Sequence, residues 1–268
     1  MKMCIQRLQK NYMKYDIKLK NESDIKHLRE SGRRLAVALK KTAAEVKPGV
    51  TTGYLNDFFH NLVIEAGDEP AFLNYQPFGA DYPYPGSICI SVNDEVVHGI
   101  GGDRILVEGD IIGLDGGIKH KGMISDSAIT VPVGNVSEED AELMRVTKAA
   151  LMAGIHAAEG GKYVNDISKA IEAAIPKKYG VVKILSGHGV GYKVHEEPYV
   201  PNFDDKVKGP KLVPGLVLAI EPMVNHGTDE VLLTEDGYTF VTEDGKKSAH
   251  FEHTILITEG KAEILTVE

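Results

Sequence analysis

From Ser23 onward the apolar residues Ile25, Leu28, Leu35, Ala36 and Leu39 recur at helical spacing, and the pattern stops before Pro48, which cannot continue a helix. Thr51 or Thr52 then caps a second amphipathic run through Leu55, Phe59, Leu62 and Val63, ending at Gly67. The pattern next changes to apolar strands at Ser87 to Val92, Ile111 to Gly117 and Met123 to Val131. After the break at Pro132-Val-Gly134 the plan repeats. Ser137, followed by Glu138 and Glu139, starts a helix through Leu143, Val146 and Leu151, and another runs from Tyr163 to Ala174. Strands return at Val181 to Leu185, Leu216 to Val224, roughly Val231 to Thr242, and His250 to Ile257. Two helices followed by strands, twice over, predict an α+β fold with two pseudo-symmetric halves. Tyr54-Leu-Asn-Asp57 and Tyr163-Val-Asn-Asp166 are a faint echo of such a duplication. No linker divides the chain, so residues 16–268 are expected to form one domain. Residues 1–15, with Met13 as a second possible start, are expected to be a disordered N-terminal extension.

Within the strands, Asp115 and Asp126 are out of place. If a two-residue turn is centred on His120-Lys121, Lys119 pairs with Gly122 and Asp115 faces Asp126 directly. Like charges opposite one another destabilise a sheet, so the pair calls for a cation or a shared proton. A longer loop would shift the register, but the odd separation allows both side chains onto one face.

Composition narrows the picture without changing it. The 268 residues, 43% hydrophobic and 26% charged, suffice for a sizeable core, and the net charge of −9 argues against a general nucleic-acid binder. Two cysteines, Cys4 and Cys89, suggest a reducing compartment, and no apolar run approaches a membrane span. Residues 1–20 lack a signal-peptide apolar region, so the protein is expected in the cytoplasm.

Three further groups place acids or imidazoles in apolar surroundings. His188 stands among the glycines of Gly187-His-Gly-Val-Gly191, Glu221 closes the apolar run Leu216 to Ile220, and Glu252 lies within Ala249 to Ile255. Acids in such strands are seldom buried unless paired or bound to metal, so four carboxylates and an imidazole suggest a shared metal centre. Taken singly, each carboxylate reads more readily as a surface or edge residue. His27, His60, His120, His156 and His226 read as structural or solvated, Glu196 and Glu197 as turn residues, and Cys89 as a buried small hydrophobe. One of His250 and His253, which flank Glu252, could support it.

In order and spacing, Ser91-Val-Asn-Asp-Glu-Val-Val-His98-Gly99, Gly109 to Asp115, Ser125-Asp126-Ser127, Gly187 to Gly191, His195-Glu-Glu-Pro198, Ile220-Glu221-Pro222-Met223 and Phe251-Glu252-His253-Thr254 resemble the type I methionine aminopeptidases. The resemblance runs from about residue 16 to the end. It implies a pita-bread fold around a dinuclear metal centre that removes initiator methionine from chains with a small second residue. By the same resemblance Asp115, Asp126, His188, Glu221 and Glu252 would be the ligands, with Asp126 and Glu252 bridging. The cofactor would be two divalent ions, Co, Mn, Fe(II) or Zn. Glu221 would be general base towards a metal-bridging water, and His98 and His195 would contact the substrate. The implied partners are nascent polypeptide N-termini, with the ribosome a candidate docking partner and no membrane or nucleic-acid specificity, and the protein is expected to act as a monomer.

Departures from the family fall in the pocket. Val194 stands where phenylalanine is usual, Tyr238 where bacterial relatives often carry tryptophan, and Ser125 replaces a glycine, while Asn74 to Pro83 looks longer or rearranged. Tyr84 and Cys89 match. A prolidase or Xaa-Pro aminopeptidase, or a non-catalytic pita-bread binding protein, are the alternatives. The former usually carries an extra N-terminal domain, and the latter normally has a broken ligand set. The 25 residues between His195 and Glu221 leave no room for the type II insertion.

Overall fold

The computed structural model describes residues 15–77 and 79–268; the expected N-terminal extension, Met13 included, lies outside the described residues except for Tyr15. Helix α1 (Glu22–Ala44) begins one residue before Ser23 because Asn21 is its cap: the Asn21 side chain accepts from the N–H groups of Ser23 and Asp24, and Asp24 accepts from that of Asn21. Thr51, rather than Thr52, caps α2 (Thr52–Glu65) by accepting from Tyr54 N–H at 3.1 Å. The apolar stripes of both helices, with Leu35, Leu39, Leu55 and Phe59, pack on one face of a sheet containing Ile88, Ile90, Ile112 and Leu114. At Gly116 that contact is so close that a Cβ would lie 2.8 Å from the Phe59 ring.

This first sheet is antiparallel. Its long hairpin is β4 (Ile111–His120) and β5 (Met123–Pro132), and β1 (Glu69–Pro70) and β2 (Ile88–Val92) pair with β4. In the second half, α3 (Glu138–Ala157) and α4 (Val164–Ala174) pack Leu143, Leu151, Ile167 and Ile171 against Leu218, Ile220 and Ile255. The sheet there contains β7 (Ser186–Gly189), β8 (Glu196–Pro201), β9 (Val217–Ile220), β14 (His253–Leu256) and β15 (Glu263–Ile264), in the order β15-β14-β9-β7-β8. Two smaller sheets complete the fold: β13 (Ser248–His250) with β10 (Met223–Asn225) and β6 (Gly180–Val181), and β11 (Val231–Leu233) with β12 (Phe240–Thr242) and β3 (Glu95–Val97). Among the described residues no helix is long and apolar enough to cross a membrane.

Side-chain hydroxyls join the halves. Thr254 Oγ1 donates to Asp126 O at 2.7 Å and accepts from Asp126 N–H at 2.9 Å, Ser127 Oγ donates to Glu252 O at 2.7 Å, and Thr130 Oγ1 donates to His250 O at 2.7 Å. Glu252 N–H also donates to Ala128 O at 2.9 Å. The seam therefore sets Asp126 of β5 beside Glu252.

Several expected elements change. Leu216 to Val224 is interrupted at Glu221-Pro222, and His250 to Ile257 at Phe251-Glu252. These interruptions face each other, since Ile220 pairs with His253 and Met223 with His250, and both strands pass together from one sheet to another. Pro222 has no N–H to offer a ladder, which is a local reason for the break. Val231 to Thr242 is a hairpin whose turn is held by Asp236 Oδ1 accepting from Tyr238 and Thr239 N–H. Val181 to Leu185 is only the two-residue β6 and then a loop, and Glu196 and Glu197 are in strand β8 rather than a turn. The echoed motifs are out of step: Tyr54 is the third residue of α2, whereas Tyr163 is the cap of α4. The duplication lies in the layers, not in that motif.

Candidate metal centre

The β4–β5 turn is Lys121-Gly122, one residue later than expected, because both positions need positive φ (47° and 84°) and glycine takes one of them without strain. The register shifts accordingly. Asp115 pairs with Ala128, and Asp126 with Gly117, so the two aspartates are diagonal rather than opposite. A shift of two keeps them on one face. Their carboxyl groups still meet: burial pushes Asp115 up to about 7 while a hydrogen bond with Asp126 opposes the rise, and burial followed by the Asp115 charge holds Asp126 well above the carboxylate range.

Glu252 arrives at Asp126 through the seam, and His188 from β7. One ligand atom from each of Asp126, His188 and Glu252 lies within 4.8 Å of the others, and all three residues are buried. His188 Nδ1 donates to Gly189 O at 2.9 Å, which leaves Nε2 as the free lone pair, 3.3 Å from Glu221 Oε1. Two acceptors can meet there only if Glu221 carries a proton or a cation joins them. Burial, then the Asp115 charge, raises Glu221 far above its ordinary range, and burial with the charges of Asp126, Glu221 and Asp115 does the same to Glu252. Burial also drives His188 down to about 3. Asp115 Oδ1, Asp126 Oδ1 and Glu252 Oε1 are buried without a hydrogen-bond partner. Orphaned carboxylate oxygens beside a neutral imidazole lone pair are what a divalent cation would satisfy, so the residues present fit a metal.

These five side chains line one cavity of about 570 Å³, together with Tyr84, Cys89, His98, Val194, His195 and Tyr238, the catalytic and pocket residues expected from the sequence. His98 has φ 60°, an uncommon conformation for a non-glycine residue, and burial lowers its pKa to about 4. His195 stands at the open side, its ring 4.5 Å from that of His188 and its Nδ1 2.9 Å from Tyr75 Oη. Burial lowers its pKa as well. Tyr84 Oη donates to Gly99 O at 2.7 Å, and Cys89, opposite Asp115 on β2, has its thiol pushed well up by burial and then by the Asp115 charge. That agrees with an inert thiol. His60, His120 and His226 contact Ser87, Asp68 and Asp140 respectively and do not line the cavity.

Val194 does not leave the pocket without an aromatic wall. It is buried in one cluster with Phe72, Tyr84, Cys89 and Tyr238, and Phe72, which also lines the cavity, supplies an aromatic ring there. The Phe72 ring lies against Gly117, where a Cβ would be 2.8 Å from Cε1. Sequence reasoning missed Phe72, Leu185 and Tyr199, all in the lining, and reached Tyr75 only as part of the segment Asn74 to Pro83. Phe72 and Tyr75 fall in a loop with no periodic signal. Tyr82, in the segment expected to be longer or rearranged, is tied down by its Oη donating to Asp236 O at 2.5 Å and by Tyr238 Oη donating to Tyr82 O. Ser125 bonds Ser31 Oγ at 2.8 Å, so its hydroxyl has a structural partner. His250, rather than His253, approaches the site, its Nε2 3.6 Å from Glu221 Oε2.

The pattern of metallopeptidase family M24 matches residues 26–259. Methionine aminopeptidase 1 of Bacillus subtilis (strain 168) is 45% identical over 240 residues, 89% of this chain and 94% of that protein. Methionine aminopeptidase of Aquifex aeolicus (strain VF5) is 44% identical over 255 residues, 93% of this chain and 98% of that one. The crystal structure of methionine aminopeptidase from Thermotoga maritima matches with a TM-score of 0.89 at 38% identity, covering 94% of this chain and all of that one (100%). Prolidase from Pyrococcus furiosus, at 21% identity and a TM-score of 0.71, shares the fold alone. The fold is the pita-bread fold, and the chain belongs to metallopeptidase family M24, among its methionine aminopeptidases.

Proposed function

We propose that this protein removes N-terminal methionine from polypeptides, with a small second residue preferred and nascent chains as the natural substrate. The observation that carries the reading is the meeting of five metal-ligand side chains with an apolar, aromatic-lined pocket in one cavity. Asp115, Asp126, His188, Glu221 and Glu252 would hold two divalent ions. Such ions, when bound, make water a stronger acid and stabilise negative charge on a carbonyl oxygen.

The remaining steps belong to the chain. Phe72, Tyr84, Cys89, Val194 and Tyr238 surround an unbranched apolar side chain and exclude water from it. A thioether suits aromatic walls of this kind. Glu221, whose proton affinity is raised by burial, accepts a proton from the attacking water and returns it to the leaving amine. His98, kept neutral by burial, and His195, whose pKa is lowered, can hydrogen-bond to the scissile amide. We read residues 16–268 as one catalytic unit acting as a monomer in the cytoplasm. Which of Mn, Fe(II), Co and Zn is used is a matter for metal analysis.

The test compares cleavage of Met-Ala-Ser, Met-Gly and Xaa-Pro peptides by metal-reconstituted protein and by Glu221→Gln. Methionine release by the parent, lost in the variant, is expected. Preference for Xaa-Pro peptides would overturn the assignment, and no metal-dependent cleavage would overturn enzymatic function.

A further inference from the structure

A second buried charge pair lies beside the site and has no part in the chemistry described above. Lys20, just before α1, points inward: its side chain is 1% exposed, and Nζ donates to Glu196 Oε2 at 2.7 Å and to Lys18 O at 3.1 Å. The Glu196 side chain is 6% exposed, and its other oxygen accepts from the N–H groups of Tyr192 at 2.6 Å and Lys193 at 2.9 Å. Taking both charges out of water is costly, and such a pair is weak evidence for stability by itself. What distinguishes it is its position. Glu196 follows His195 directly, and the bend it grips, residues 191–195, connects β7, which carries His188, to β8.

The grip is close and one-sided. At Gly191 a Cβ would lie 2.4 Å from Lys20 Cε, so the lysine stem packs against the backbone of the bend. The Tyr192 ring stands 5.1 Å from Nζ, and its hydroxyl donates to Asp24 Oδ2 at 2.5 Å, adding a second tie to the start of α1. Lys20 is itself fixed by its N–H donating to Gly215 O at 2.8 Å. On the far side of the bend His195 meets Tyr75 through Nδ1 and the edge of the His188 ring.

We propose that Lys20 is a positioning residue: through Glu196 it fixes the 191–195 bend and thereby holds His195 at its place beside His188. The proposal rests on the reading of His195 as the imidazole that contacts substrate. Without the cation, the Glu196 carboxylate turns towards water and releases the N–H groups of Tyr192 and Lys193. His195 then samples several positions. Displacement of a catalytic group by about 1 Å costs on the order of 100-fold in rate.

The test uses Lys20→Met, Lys20→Arg and the neutral double variant Lys20→Met with Glu196→Leu, which takes the acceptor away from the Tyr192 and Lys193 N–H groups but leaves no unpaired buried charge and so guards against simple misfolding. For metal-loaded protein on Met-Ala-Ser, we expect kcat to fall roughly 10-fold to 100-fold in Lys20→Met and in the double variant, with KM within about threefold of the parent. Lys20→Arg, which restores the cation, should recover most of that loss. The imidazole resonances of His195, assigned with His195→Gln, should shift and broaden in the two slow variants, and that readout needs no substrate. A folded double variant with parental kcat and parental His195 resonances would overturn the proposal. Parental protein that releases no methionine, with the resonances moving as expected, would leave the latch standing and overturn the functional reading instead.

Discussion

At the scale of single residues, the arrangement is dominated by acids that are ionised only at a cost. Asp115 has its pKa raised from an ordinary 3.8 to about 7, chiefly by burial, and Asp126, Glu221 and Glu252 move the same way. Their folded forms bind protons more tightly than the unfolded chain does. Metal-free protein should therefore lose stability as pH rises from about 4 through about 7. Metal competes with those protons, so its affinity should rise over the same range. Melting curves of chelator-treated protein should give a higher Tm near pH 5.5 than near pH 8, with the difference reduced in Asp115→Asn; a Tm that climbs with pH would contradict the account. Asp126→Ala, which removes the carboxylate shared between both aspartate and glutamate neighbours, should largely abolish metal retention by elemental analysis together with turnover.

Phe72 belongs to the same scale. The sequence pointed to Val194 as a missing aromatic wall, whereas the structure places a ring from a different loop in the same cluster. Phe72→Ala should lower kcat/KM for methionyl peptides by roughly 1–3 kcal/mol, about 10-fold to 200-fold. Unchanged kinetics would mean that the ring does not touch the substrate side chain.

At the scale of elements, Glu221 and Glu252 lie where regular strands stop, and His188 lies at an irregularity in the β7–β8 pairing. Helices were legible because their stripes and caps are local: Asn21, Thr51 and Ser137 all sit within two residues of the expected starts. The strand breaks at Glu221-Pro222 and Phe251-Glu252 were hidden because hydropathy runs straight through them. Only the exchange of partners between β9–β14 and β10–β13 reveals them. The hairpin register missed for a subtler reason. Gly122 was read as the partner of Lys119, yet it occupies the turn position that needs positive φ. Replacing Gly122 with valine should cost about 1–2 kcal/mol, the strain of a left-handed conformation for a residue with a Cβ. A denaturant titration showing no loss would argue against this turn.

At the scale of the whole molecule, the site exists only where the halves meet. Asp115 and Asp126 come from the first half, His188, Glu221 and Glu252 from the second, and Thr254, Ser127 and Thr130 stitch them together. Thr254→Val keeps the shape but removes both bonds to Asp126, leaving buried backbone groups unpaired. It should destabilise the protein by about 1–3 kcal/mol. It should also weaken metal binding measured by calorimetry, because one ligand strand is no longer pinned to the other. Metal itself should act across the seam: ion at 100 times its Kd adds about 2.7 kcal/mol to stability, seen as a higher Tm that chelator reverses. No change in Tm on chelation would mean that metal does not bridge the halves.

The sequence by itself determined the layers, the helix starts and the identity of every acid and histidine that meets in the cavity. Periodicity, caps and uncompensated charges are written in local order along the chain. Tertiary structure decided which of them touch. It set the diagonal register of Asp115 and Asp126, the sheet exchange that presents Glu221 and Glu252, the arrival of Phe72 in the pocket, and the burial of Lys20 against Glu196. Each of these depends on contacts between residues far apart in the chain, where a partner's position is fixed by packing and not by the neighbours in sequence.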